Sequence, residues 1–171
     1  MIRPRWGALR ITIMYEETRK ALYGLFTQKG IKIETNEDAG YENFCCLRIT
    51  RQPEEGTTLI IGKFTNDIVE MLLLAHEYGH ILHYESLSKE EAEIAYCAIF
   101  ASNHLGLENI SPDGKKMVIA IEKKASEYAI TLLTELTGDA AILKHAKETY
   151  GDWIKGYFKK AHLTEEDTIS L

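Results

Sequence analysis

The chain has 171 residues, 45% hydrophobic and 27% charged, which is the make-up of an ordinary globular protein long enough to bury one core. Its 26 acidic and 20 basic side chains leave a formal net charge of -6, which argues against a general nucleic-acid binder, whose affinity needs a surplus of Lys and Arg facing phosphates. No stretch reaches the roughly 18 consecutive apolar residues of a membrane span. The apolar segment Trp6-Gly7-Ala8-Leu9 is too short for a signal-peptide core and is cut by Arg10, so a cytoplasmic protein without membrane attachment is expected.

In chain order, residues 15–29 read as a helix, with Ala21, Leu22, Leu25 and Phe26 as its apolar stripe and Gly30 where a C-terminal cap belongs. Ile31 to Glu34 alternates like a short strand, Thr35 to Glu42 reads as a loop, and Phe44 to Thr50 suits a second strand. A turn at Gln52-Pro53-Glu54-Glu55-Gly56 leads to a third strand over Thr57 to Gly62. From Asn66 the pattern turns helical. One helix is expected over Asn66 to Tyr84, a second from a Ser88 cap to Leu105-Gly106, and a third from Met117 to Leu136, broken by Thr137-Gly138. Leu107 to Lys116, with its Ser111-Pro112-Asp113-Gly114, reads as a loop. A fourth helix spans Asp139 to about Tyr150 and a last piece follows Asp152. The sum is a single α+β domain over 1–171, with a small N-terminal sheet of about three strands followed by a helical region.

The chemistry concentrates in His76-Glu77-Tyr78-Gly79-His80. Histidines four residues apart on a helix share a face one turn apart, so both imidazoles reach one metal ion. Zinc takes such imidazoles in four-coordinate sites that keep one position for water when they are catalytic. Glu77 points beside the metal, where it can act as general base on the bound water. The upstream half of this helix, Ile68 to Ala75, is strongly apolar and therefore buried. Gly79 in mid-helix costs on the order of 1 kcal/mol relative to Ala, a cost that close approach of another segment would explain.

A third protein ligand comes from elsewhere. Glu122 begins a face on which Ala125, Ser126 and Ala129 follow at i+3, i+4 and i+7, small residues that let its helix pack tightly on the motif helix. Glu93 is the alternative nearer in sequence, but Tyr96, Cys97 and Phe100 give its face the look of core packing. Glu127 is a further alternative, turned off the small face.

These residues resemble the ImmA/IrrE metallopeptidases, which pair a hydrophobic helix carrying a motif like His-Glu-Leu-Gly-His with a later helix reading about Glu-x-x-Ala-Asn-x-Phe-Ala-x-x-Leu-Leu. Here the first is Leu73 to His83, the second Glu122 to Leu133, and Thr58-Leu59-Ile60-Ile61-Gly62 matches the family's preceding strand. The resemblance implies an HExxH zincin-like hydrolase with His76, His80 and Glu122 as Zn2+ ligands and Glu77 as catalytic base. It also implies a cytoplasmic protease that cuts regulatory proteins such as transcriptional repressors. The chain departs from the family in carrying an extra helix, Ser88 to Leu105, between the two pieces, and in having Ser126 where Asn or Asp is usual. The alternative is a catalytically silent module that keeps the fold to bind a partner, against which the intact Glu77 argues.

Other residues have weaker claims. His83, one turn beyond the motif, would overshoot the metal, which leaves a substrate-facing role or plain packing. Tyr78, Tyr84 and Tyr128 are each able to steady an oxyanion, and the sequence selects none of them. His104, His145 and His162 read as surface residues, and Cys45, Cys46 and Cys97 as buried small apolar ones. The strand Thr57–Gly62 is an edge on which an extended peptide could add, or else an internal core strand.

Overall fold

The computed structural model describes residues 6–36, 38, 42–49 and 56–168. Helix α1 (Trp6–Gln28) precedes strands β1 (Lys32–Thr35), β2 (Cys45–Ile49) and β3 (Thr57–Ile61), and α2 (Asp67–Ser86), α3 (Lys89–Leu105), α4 (Pro112–Thr137) and α5 (Ala140–Ala161) follow, with short 3-10 turns at Leu107–Asn109 and Glu165–Thr168. This is the α+β architecture expected. The chain gathers into two compact units, Met1–Tyr78 with Leu132–Gly138, and Gly79–Thr131 with Asp139–Leu171. No helix among the described residues is long and apolar enough to cross a membrane.

In the first unit the sheet is mixed and ordered β1-β3-β2. Strand β3 pairs in parallel with β1, Ile33 opposite Leu59, and antiparallel with β2, Leu47 opposite Leu59. Both sides of β3 are therefore occupied, which makes it the internal strand and not the edge that could accept a peptide; among the described residues β1 and β2 are the outer strands. Thr58 and Leu59, both buried, are successive residues on β3, so both of its faces are covered there. The turn expected at 52–56 lies outside the described residues except for Gly56, whose φ of +66° suits a residue without Cβ.

Apolar side chains of this unit, including Leu22, Phe26, Leu59, Met71 and Leu74, are 0% exposed. Burying such a side chain contributes roughly 1.5–3 kcal/mol. An ionic cluster pins α1 to the start of α2: Arg19 meets Glu70 at 2.5 Å and Asp67 at 2.8 Å, and the Tyr23 hydroxyl donates to Glu70 at 2.6 Å.

In the second unit Leu107, Val118, Ile119, Phe158 and Ala161 form a buried cluster, with Ala98, Ile99, Ile110 and Ile154 packed against it. Helix α3 opens on the expected cap: the Ser88 hydroxyl accepts from the Glu91 amide at 3.3 Å, while the Glu91 carboxylate accepts from the Ser88 amide at 2.8 Å. Helix α4 starts at Pro112, five residues before the expected Met117, because Ser-Pro here is a helix start and not a turn. The Ser111 hydroxyl accepts from the Gly114 amide at 3.1 Å, and proline suits the first helical position, whose N–H has no intrahelical partner. Helix α5 runs unbroken past Gly151, merging the two helical pieces expected; Asp139 caps it by accepting from Ala141 at 2.8 Å and Ile142 at 3.0 Å.

Candidate metal centre

Helix α2 opens at Asn66, whose side-chain oxygen accepts from the Ile68 amide at 2.8 Å, with Asp67 and Glu70 in its first turn where the helix dipole favours acids. Met71, Leu72, Leu74 and Ala75 are at most 1% exposed, so the helix enters the motif already buried. His76, Glu77 and Tyr78 are buried as well, and His80 is half-buried.

Helix α4 supplies the third group. The metal-ligating atoms of His76, His80 and Glu122 all lie within 4.8 Å of one another, and His80 Nε2 is 3.7 Å from Glu122 Oε2. Two tetrahedral ligands each about 2.1 Å from a zinc are about 3.4 Å apart, and the His80–Glu122 pair stands near that separation. Two imidazoles and a carboxylate, buried together, form a group that could hold a metal ion. Neither alternative ligand joins it: Glu93 is exposed, and Glu127 is exposed and paired with Lys124 at 2.7 Å.

The approach of α4 depends on Gly79. A Cβ there would lie 2.1 Å from the Ala125 carbonyl oxygen and 3.2 Å from the Ala129 nitrogen, so the backbones of α2 and α4 touch. This supplies the steric reason that a mid-helix glycine demanded. The stripe on α4 serves the same contact, with Ala125 and Ala129 both 0% exposed. Ser126 donates its hydroxyl to the main-chain carbonyl of Glu122 at 2.9 Å, one turn back along the same helix.

Glu77 has a partner that no side chain betrays. Its Oε2 accepts from the backbone N–H of Leu47 on β2 at 2.9 Å. Gly62 donates to the Phe44 carbonyl at 2.8 Å, so Phe44 faces β3; by alternation Cys46 and Arg48 do too, and the Leu47 amide points out of the sheet. The outer side of β2 thus delivers an N–H to the carboxylate beside the histidines. The same carboxylate acts on the adjacent thiols. Burial first and then Glu77 push the Cys46 thiol up to about 11, and Cys45 is pushed up further by the same two causes.

The three tyrosines separate. Tyr78 is core, its ring edge-on to Phe26 at 5.2 Å. Tyr128 stacks on His83 at 6.4 Å. Tyr84 lies in the field of Glu122: burial, then Glu122, then Tyr96 raise its phenol above the ordinary value. His83 is buried and its Nδ1 has no hydrogen-bond partner; burial, then Lys124, lower its pKa. His104, His145 and His162 are exposed, as expected. The cysteines are not uniformly buried: Cys45 is, Cys46 is half-buried and Cys97 is exposed. The face of α3 expected to pack in the core, with Cys97 and Phe100, is instead open to solvent, Phe100 at 47%.

Comparison with known proteins found no matching family model, no matching curated protein and no matching solved structure.

Proposed function

We propose that this chain is a zinc-dependent metalloendopeptidase of the ImmA/IrrE kind, with His76, His80 and Glu122 holding the zinc and Glu77 as general base. The observation that carries the reading is the buried His76–His80–Glu122 group with the Glu77 carboxylate following the first ligand on the same helix. Zinc suits two imidazoles and one carboxylate, leaving a position for water. When bound, the metal supplies an acidified water and a polarised carbonyl.

The remaining steps belong to the protein's own residues. Glu77, held through Oε2 by the Leu47 amide, accepts the proton of the attacking water and returns it to the leaving amine. Because that carboxylate is tied to the main chain of a strand, it does not have to be ordered at the moment of reaction. A peptide substrate is supported by the outer side of β2, which pairs with no further strand among the described residues and whose outward backbone groups other than the Leu47 N–H suit an added strand. The likeness to ImmA/IrrE enzymes supports a cytoplasmic setting and a regulatory protein, such as a repressor, as substrate.

The test is a pair of substitutions on the full chain, assayed against a mixed peptide library. Glu77→Gln is expected to keep stoichiometric zinc while losing turnover, and Glu122→Ala to lose zinc by more than the roughly 100-fold that removal of a ligand's outer partner can cost. Turnover surviving in the first variant would sink the base assignment, and unchanged zinc affinity in the second the ligand set. Zinc binding without cleavage of any peptide by the wild type would favour the silent binding module.

A further inference from the structure

A surface cavity of about 410 Å³ lies where the end of α5 meets the 3-10 turn at Leu107–Asn109, lined by Glu108, Gly156, Lys159, Lys160 and His162. Its size is that of a small-molecule site. The lining residues all belong to the second unit, and none is part of the metal centre. Leu107 is buried in one cluster with Phe158 and Ala161, which seats the turn on α5 and leaves Glu108 exposed beside it. Gly156 and His162 each stand where helix physics favours the other. Helix α5 ends in a Schellman turn: the His162 amide donates to the Lys159 carbonyl at 3.3 Å and the Leu163 amide to the Phe158 carbonyl at 3.1 Å. His162, with φ +56°, holds the left-handed position of that turn, where glycine is the usual residue because a Cβ is strained there. Gly156 is the reverse, a glycine inside the helix where a side chain is favoured. Unlike Gly79 it is not required by packing, since a Cβ there would meet nothing within 4 Å. What a side chain at 156 would take up is space in the cavity. Exchanged, the two residues would make a more stable helix; as they stand, they leave the cavity open at one position and give it an imidazole at the other.

Charge narrows what fits there. The ammonium groups of Lys159 and Lys160 make no hydrogen bond or ion pair among the described residues, whereas Lys155, a turn earlier, is paired with Asp152 at 2.9 Å. The helix dipole accounts for basic residues in a last turn, but not for the histidine or the glycine. Glu108 shares the cavity without pairing with either lysine. Its Oε1 accepts from Asn109 Nδ2 at 3.3 Å and lies 2.6 Å from where Gly106 would carry a Cβ, so the carboxylate is turned back over its own turn. Asn109 is itself anchored on the Leu105 carbonyl at 2.7 Å. The cavity therefore offers two unpaired cations and an imidazole on the α5 side, and one carboxylate on the other.

We infer that this cavity binds a phosphomonoester that carries hydroxyl groups, with its phosphate on Lys159, Lys160 and the His162 imidazole and a hydroxyl donating to Glu108. Compact ammonium charges suit a phosphate. The single carboxylate accepts from a hydroxyl and repels a second anionic group, which disfavours a ligand that is anionic throughout. The site is independent of the peptidase reading, since it uses neither the metal ligands nor Glu77.

The experiment is calorimetric titration of the full chain with ribose 5-phosphate and glycerol 3-phosphate, against ribose and inorganic phosphate. Both phosphomonoesters are expected to bind saturably, about tenfold more tightly than ribose or inorganic phosphate. Lys159→Ala with Lys160→Ala should weaken them by about tenfold or more, whereas Lys144→Ala with Lys147→Ala, on the same helix, should change little. Glu108→Ala should bind inorganic phosphate more tightly and lose the preference for the esters. Gly156→Gln and His162→Gly carry the sharpest expectation, because stability and binding should move in opposite directions. Each should raise the melting temperature, the first by helix propensity and the second by relieving the left-handed cap, while weakening the esters several-fold. A loss of binding in these variants is then not a loss of fold. No saturable binding of either ester, equal affinity for the esters and inorganic phosphate, or unchanged binding in the Lys159 and Lys160 double variant would overturn the inference. So would unchanged binding in Gly156→Gln and His162→Gly, which would mean that surface lysines attract anions without a built site.

Discussion

The carbonyl oxygen of Ala125 occupies the place where Gly79 would carry a side chain, 2.1 Å from an ideal Cβ. Intrinsic helix propensity favours alanine over glycine by about 1 kcal/mol, so Gly79→Ala sets preference against packing. Packing wins here, because the obstructing atoms are main chain and cannot swing aside as a side-chain tip does. The variant should be less stable than wild type by about 2 kcal/mol or more in urea unfolding, and should bind zinc more weakly as Glu122 is pushed off. A variant as stable as the wild type would show that the helices do not touch.

That contact was half legible in the sequence. A glycine inside a buried helix and a stripe of alanines below Glu122 both announced a close approach, and the spacing of His76 and His80 needed no tertiary information. The strand order was not legible. Nothing local in Thr57–Ile61 distinguishes an edge from a middle strand, since that depends on β1 returning in parallel to β3 across the sequence of β2. The Leu47 amide was invisible for a related reason: every residue but proline has an N–H, so only register says which one points at Glu77. Helix α4 began early because Ser111-Pro112 carries two compatible signals, a turn and a cap, and the core around Val118 and Ile119 decides between them.

The hold on Glu77 can be tested at its donor. Leu47→Pro deletes the N–H without breaking the ladder to β3, since that N–H points out of the sheet and an outer strand tolerates proline. A hydrogen bond to a charged group contributes about 1.5–3 kcal/mol, so kcat should fall about tenfold or more with zinc content unchanged. Leu47→Ala keeps the donor and should stay near wild type. Equal losses in both variants would trace the effect to the side chain instead.

His83 gives a pH dependence of defined sign. Its pKa in the folded chain lies below the ordinary 6.5, from burial first and Lys124 second, with Glu127 opposing. The stability it contributes as neutral imidazole is present above about pH 6.5 and is lost as pH falls towards the folded value. Chelator-treated wild type should therefore lose stability through this window more steeply than His83→Leu. At pH 8 that variant should be about 1 kcal/mol more stable, because it removes a buried Nδ1 that has no partner. Identical pH profiles for the two proteins would count against this account.

The thiols offer a check on burial that needs no activity. A maleimide at neutral pH should modify Cys97 within the first phase, Cys46 far more slowly because its thiol is pushed up to about 11, and Cys45 only on unfolding. Mass spectrometry of the time course reads the order directly, and early modification of Cys45 would be incompatible with its place in the sheet.

The sheet order has a consequence for how the protein is made. Strands β1 and β2 do not pair with each other; each pairs with β3 alone, which is the last of the three to be synthesised. Until Thr57–Ile61 has left the ribosome, no part of the sheet has a partner, and the apolar Phe44 to Leu47 stretch waits exposed. Emergence of β3 then allows both neighbours to dock, which makes that strand the point where a nascent chain commits to the fold and the stage before it the one most exposed to aggregation.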